Sequence, residues 1–225
     1  MSCMDWRLNN IIDEEADDDT IILRNAGANI LSLKFSIREI LNSNNITEIK
    51  LLTHTDCGAM KLVYNAIKNT QQVSKIIKEN LVLQFEDKNF QNINELEEIN
   101  ERLQFETLKS ISKDITIIPK LIDLSRYNFS NKNDKHDLAF TLPNKINYKN
   151  LCTKINFDEH ETYFIHSINF DEVKHDMEIA TTYLNIKDFS FLALNNSEYR
   201  AINNIVKIAK LNSFMKNNKI NIIKM

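Results

Sequence analysis

His54 and Cys57 stand with two residues between them, where one apolar run ends and another begins. That spacing lets an imidazole and a thiolate converge on one ion when the chain turns between them. Cys3 is far off in sequence, but an adjacent strand end could deliver its thiol to the same point. Two thiolates and one imidazole form a Cys2His set, one of the three-ligand arrangements that leave zinc a fourth position for water. An open position belongs to a catalytic ion rather than a purely structural one. Asp5 and Arg7 follow Cys3 at alternate positions, so an extended segment would project all three to one side. A guanidinium fork holds a carboxylate ionised and oriented, next to whatever fills the open position.

The surrounding pattern supplies elements able to carry these groups. Residues 46–53 (I-T-E-I-K-L-L-T) read as a strand that delivers His54, and an apolar-periodic helix runs from Cys57 and Gly58 through Ile67. Upstream, Thr20 to Leu23 suits a buried strand, and Leu31, Phe35, Ile37, Ile40 and Leu41 recur at helical spacing. Residues 72–112 hold two further helical patterns, the second with Leu96, Ile99, Leu103, Phe105 and Leu108 as its apolar side. Ile115 to Leu124 reads as a strand in which Pro119 favours an edge or a bulge over a central position. Strands alternating with helices predict an α/β fold, a mainly parallel sheet flanked by helices.

The polar stretch Asn128 to Asp137 marks a linker, which divides the chain into a zinc domain (1–127), a linker (128–150) and a C-terminal α/β lobe (151–225). The lobe is expected to hold a strand at Thr162–His166, a helix from Asp171 to about Leu184, a strand at Phe189–Leu194, a helix from Ser197 to about Leu211, and a last strand at Ile220–Ile223. Residues 45–52 set beside 185–192 give a matched register. Two readings stay open: a degenerate repeat, in which His54 faces Leu194 and Cys57 faces Ser197, or the general likeness between βα units of any α/β protein.

Composition bounds the partners. The 225 residues are 43% hydrophobic and 26% charged, enough for a substantial core. No run of about 18 apolar residues and no basic-then-apolar start is present, so the expectation is a soluble cytoplasmic protein without a membrane partner. A net charge of -3 with scattered lysines gives no case for nucleic acid. Three cysteines cannot make a disulfide framework, and Cys152, far from any motif, is expected to be a buried or free thiol. Average usage would give about sixteen glycines, whereas this chain has 2, Gly27 and Gly58; both are expected where a side chain is not tolerated. His136, His160, His166 and His175 read as structural, and the acidic residues 13–15 and 17–19 as a solvated loop.

Three segments together resemble a known family. C-M-D-W-R (Cys3 to Arg7), R-N-A-G-A (Arg24 to Ala28) and H-T-D-C-G-A-M-K (His54 to Lys61) are similar to the successive signatures of β-class carbonic anhydrases, in that family's order. Both glycines lie inside them. The resemblance implies Cys3, His54 and Cys57 as ligands of Zn2+, Asp5 and Arg7 as the catalytic dyad, and a lyase activity: reversible hydration of carbon dioxide to bicarbonate by a zinc-bound hydroxide. It implies a homodimer or an internal pseudo-dimer, because family members build the site at a dimer interface. Departures are the strand before the first cysteine, cut to Met1-Ser2, and Ala28 where a second glycine is common. Residues 126–225 have no alignable counterpart. Two alternatives stay open: hydrolysis of a CO2-like molecule such as COS or CS2, and a non-catalytic zinc-stabilised scaffold.

Overall fold

Helices separate nearly all successive strands along the chain. The computed structural model describes residues 1–112, 114–129, 136–215 and 218–225. In order its main elements are β1 (Ser2–Cys3), α1 (Asn9–Glu15), β2 (Arg24–Asn25), α2 (Lys34–Ser43), β3 (Glu48–His54), α3 (Gly58–Lys68), α4 (Lys75–Ile77), α5 (Ile93–Ile111), β4 (Thr116–Ile122), β5 (Asp137–Thr141), α6 (Tyr148–Ile155), β6 (Thr162–His166), α7 (Phe170–Thr182), β7 (Asp188–Ala193), α8 (Asn196–Lys210) and β8 (Lys219–Lys224). The fold is α/β with mainly parallel strand pairing, as expected; the pair of Arg24 with His166 is antiparallel.

The chain divides into two compact units: Met1–Cys3 with Asn25–Asn128, and Met4–Arg24 with Phe129–Met225. In the first unit β3 lies between β1 and β4, with Ser2 opposite Leu52 and Glu48 through His54 opposite Thr116 through Ile122. Pro119 sits in β4, the edge strand, where a missing amide proton costs no ladder bond. The C-terminal end of β3 is buried from Leu51 to His54, so the strand delivers its last side chain into the interior.

The inward face of α5 corrects an expectation. Leu96 and Leu108 are buried, but Ile99, Leu103 and Phe105 are not; the other buried residues of this helix are Glu97, Asn100 and Gln104. Hydrophobic periodicity missed this face because its polar groups are hydrogen-bonded inside the protein, which removes most of the cost of burying them. Asn92 starts the helix by accepting from the Glu95 amide, while its own side chain donates to Glu95.

In the second unit β5 lies between β6 and β7, and β8 adds beyond β7, all in parallel. Phe140, Phe164, Phe189 and Phe191 are fully buried in these strands, each contributing about 1.5–3 kcal/mol by removal from water. Residues 4–24 belong to this unit rather than to the segment that follows them. Asn9 donates to the carbonyls of Glu159 and Thr162, Asp13 accepts from the amides of Tyr148 and Lys149, and Trp6 packs edge-on to Phe129. Asp13 therefore holds the first turn of α6, which the reading of residues 13–15 as solvated missed.

The expected division at 1–127, 128–150 and 151–225 differs from this arrangement. Residues 130–135, the centre of the expected linker, lie outside the described residues, but β5 and the start of α6 fall within 128–150. L-A-F-T was passed over because its polar flanks dominate the local composition. Near Thr20–Leu23 the strand falls instead at Arg24–Asn25. The caps of α7 and α8 are Asn169 and Asn195, two residues before Asp171 and Ser197; each accepts an amide of the first turn.

Candidate metal centre

Three elements of the first unit end at one place. Cys3 closes β1, His54 closes β3, and Cys57 is the N-cap residue of α3. All three are buried, and one donor atom from each lies within 4.8 Å of the other two. Among the described residues this group of two cysteines and a histidine could hold a metal ion. The two sulfurs are 4.0 Å apart, whereas tetrahedral zinc with bonds of about 2.3 Å sets two thiolates roughly 3.8 Å apart. The two sulfurs are therefore spaced closely enough to share such an ion.

The local backbone explains how the ligands converge. The turn from His54 to Cys57 places Asp56 at φ 59, a left-handed conformation that asparagine and aspartate tolerate better than most residues. Asp56 also pairs with Lys61 in the first turns of α3. His54 Nδ1 lies 2.9 Å from the Thr55 carbonyl. A carbonyl only accepts, so Nδ1 carries the proton and Nε2 presents the lone pair to a metal. Cys57 lies at the positive end of a helix, which favours its thiolate. The Gly27 amide donates to Cys3 Sγ at 3.3 Å and favours the other.

The two glycines differ. Gly27 has φ +70, and a Cβ there would meet the Met60 methyl at 3.0 Å, so this position needs glycine. A Cβ on Gly58 would meet nothing within 4 Å, so the expectation of an intolerant site fails at Gly58. That residue begins a helix facing open space.

Asp5 and Arg7 form the expected ion pair by a different route. The chain does not stay extended: Trp6–Leu8 is a 3-10 turn capped by Asp5. Arg7 donates through Nε to Oδ1 at 3.0 Å, through Nη2 to Oδ2 at 2.7 Å, and through its backbone amide to Oδ1 at 3.0 Å. The turn brings the fork onto both carboxylate oxygens, which strand alternation would not do. This pair belongs to the second unit, as does Arg24, whose buried guanidinium donates to the Asp5 carbonyl at 2.7 Å and to Asn9 Oδ1 at 2.6 Å. Asp5 is thus held at both its carboxylate and its backbone.

Glu97 is the residue of this centre that sequence reading missed. Its Oε1 accepts from the Cys57 amide at 2.8 Å. Burial pushes its carboxyl above the ordinary range, against the opposing pull of the Cys57 and Asp56 amides and of His54. The signal was present as Glu97, Asn100, Gln104 and Leu108 on one helical face. Cys152 is buried in the second unit, its thiol pushed up to about 12 by burial and by Glu159, Asp13 and Asp158. It stays protonated and unsuited to metal at neutral pH.

No family model matches this chain, and no curated protein or solved structure matches it. Among the described residues no helix is long and apolar enough to cross a membrane.

Proposed function

We propose that this protein is a zinc enzyme that interconverts carbon dioxide and bicarbonate. The observation that carries the reading is the buried Cys3, His54 and Cys57 group, three ligands of the types and number that leave zinc one open position. The resemblance of three sequence segments to β-class carbonic anhydrases points the same way. Thiolate and imidazole donors together suit zinc among the common divalent ions. Bound there, zinc would lower the pKa of a water towards ~7 and so make a nucleophile for carbon dioxide available near neutrality.

The chain's own residues do the rest. Two thiolates offset the charge of the divalent ion, and His54 adds a neutral donor whose ring is oriented through Nδ1. Asp5, two residues along the chain from Cys3, is assigned to accept a hydrogen bond from the attacking water and orient its lone pair. Arg7 keeps that carboxylate ionised and prevents it from rotating. The overall change is CO2 plus water to bicarbonate plus a proton.

Stopped-flow carbon dioxide hydration by the zinc-loaded full chain at mildly alkaline pH tests this, with Cys57→Ser as control. The expected result is activity in the parent and none in the variant. Asp5→Asn should keep its zinc and lose about 10²-fold in kcat. A zinc-replete parent without hydration activity overturns the assignment; turnover of COS or CS2 by that same protein would move it to hydrolysis.

A further inference from the structure

Three buried polar residues on one helix have no part in the ligand set, yet one reaches the turn that carries Cys57 and two reach the loop whose Gly27 amide contacts Cys3. Glu97, Asn100 and Gln104 are spaced i, i+3, i+7 on α5 and so lie on one face. Glu97 accepts from the Cys57 amide. Asn100 Nδ2 donates to the Gly27 carbonyl at 3.0 Å, and Gly27 is the residue whose amide reaches Cys3 Sγ. Gln104 donates to Asn100 Oδ1 at 3.0 Å and accepts from the Ile30 amide at 2.8 Å. Exposures of 1%, 3% and 0% mean that no bulk water substitutes for these bonds.

Resting on the reading that Cys3, His54 and Cys57 hold a metal, we propose that α5 is the organiser of the centre, with Glu97 and Asn100 as positioning residues for one thiolate each. Glu97 fixes the peptide that carries Cys57. Asn100 holds the left-handed Gly27, and thereby aims an amide at Cys3. Gln104 fixes the Asn100 side chain so that its amino group, not its oxygen, faces Gly27. A helix interior pairs its own backbone, so spare polar side chains on the inward face are retained for partners elsewhere.

Cobalt(II) titration of the full chain reads this out through the thiolate-to-metal charge-transfer and d–d bands, with Kd from competition against a chromophoric chelator. Glu97→Ala and Asn100→Ala should each weaken cobalt binding 10–100-fold, the range for partners that orient ligands. Leu108→Ala, on the same face of α5, controls for general loss of packing and should change Kd by no more than about threefold at comparable loss of stability. Two isosteric variants keep the question answerable if truncations do not fold. Glu97→Gln retains an acceptor for the Cys57 amide and should restore parent-like affinity. Asn100→Asp keeps the shape but has no donor for Gly27, and should remain at least tenfold weakened.

Equal affinities for Asn100→Asp and the parent would overturn the proposal, as would Glu97→Ala and Leu108→Ala binding alike. Failure of Glu97→Gln to recover would also overturn it, since the hydrogen bond would then not be what matters. A parent that takes up no cobalt overturns the metal reading itself, and this inference with it.

Discussion

The turn after β3 and the turn after β7 hold the same place in two similar chains of elements, and they are closed by different chemistry. In the first unit β3 pairs in parallel with β1 and β4; in the second β7 pairs in parallel with β5 and β8. Ser2 faces Leu52, and Thr141 faces Leu192. Matching Leu52 to Leu192 sets Cys3 against Leu142, His54 against Leu194 and Cys57 against Ser197. At the turn after β7, Glu198 accepts from the Leu194 amide and the Asn195 side chain, while Asn195 accepts from the Glu198 amide; Glu198 also accepts from Asn144, 54 residues earlier. Glu198 thus caps the turn locally, with one further partner in the same unit. The turn after β3 takes an acceptor for its Cys57 amide from a different helix, 40 residues away. In the second unit, among the described residues, α8 leads to β8 with only a 3-10 turn, Ser213–Met215, between them and no counterpart of α5. The turn after β7 is capped by the carboxylate of the helix it starts, whereas the amide of the Cys57 turn is held by a carboxylate on another helix.

The comparison breaks most visibly if the ligands are made to match the second unit. His54→Leu combined with Cys57→Ser should abolish stoichiometric cobalt uptake, as seen by loss of the charge-transfer band; retained binding would mean that the metal lies elsewhere. The converse exchange sharpens it. Leu142→Cys, Leu194→His and Ser197→Cys together should add no second tight cobalt equivalent, because nothing like α5 clamps that turn. A stoichiometry of two by competition titration would show that the residue types suffice.

Glu198→Ala should destabilise the chain by about 1–2 kcal/mol, the scale of a lost cap, with cobalt affinity unchanged; urea denaturation beside the titration checks both. A final effect, seen only on acidification, concerns a buried histidine of the second unit. Burial, reinforced by Arg24, holds the imidazole of His166 well below its usual range. The unfolded chain takes up this proton below about pH 6.5 and the folded chain does not. The associated stability is therefore complete above that pH and declines on acidification by on the order of 1 kcal/mol per unit. Urea midpoints between pH 7 and 5 should fall less steeply in His166→Gln than in the parent; parallel slopes would remove His166 from the account.

What could be read from the sequence was what local spacing encodes. β3, its delivery of His54, and the following helix were legible because an apolar run and a H-x-x-C step coincide. Thr162–His166 was legible to the residue, as a short run buried on both faces. The bidentate Asp5 and Arg7 pair was anticipated but with the wrong backbone, since alternate spacing also fits a capped 3-10 turn. The inward face of α5 was read as apolar because periodicity counts hydrophobic residues and cannot tell a solvated Glu from one bonded to a distant amide. The attachment of residues 4–24 was hidden for a related reason. Its determinants are Asn9 and Asp13, whose partners lie more than 130 residues downstream.

That separation has a consequence in time. Asp13 is bonded to the amide of Tyr148, 135 residues later, and at roughly 5–20 residues per second a ribosome needs about 7–27 s to make the intervening chain. Cys3 precedes that interval, and His54, Cys57 and then Glu97 are made within it. Through the rest of it α1 has no α6 to cap, and Ile11 and Ile12, both buried in the finished protein, must wait in water or on a chaperone. A segment made well before its partners is thus among the last to find its place.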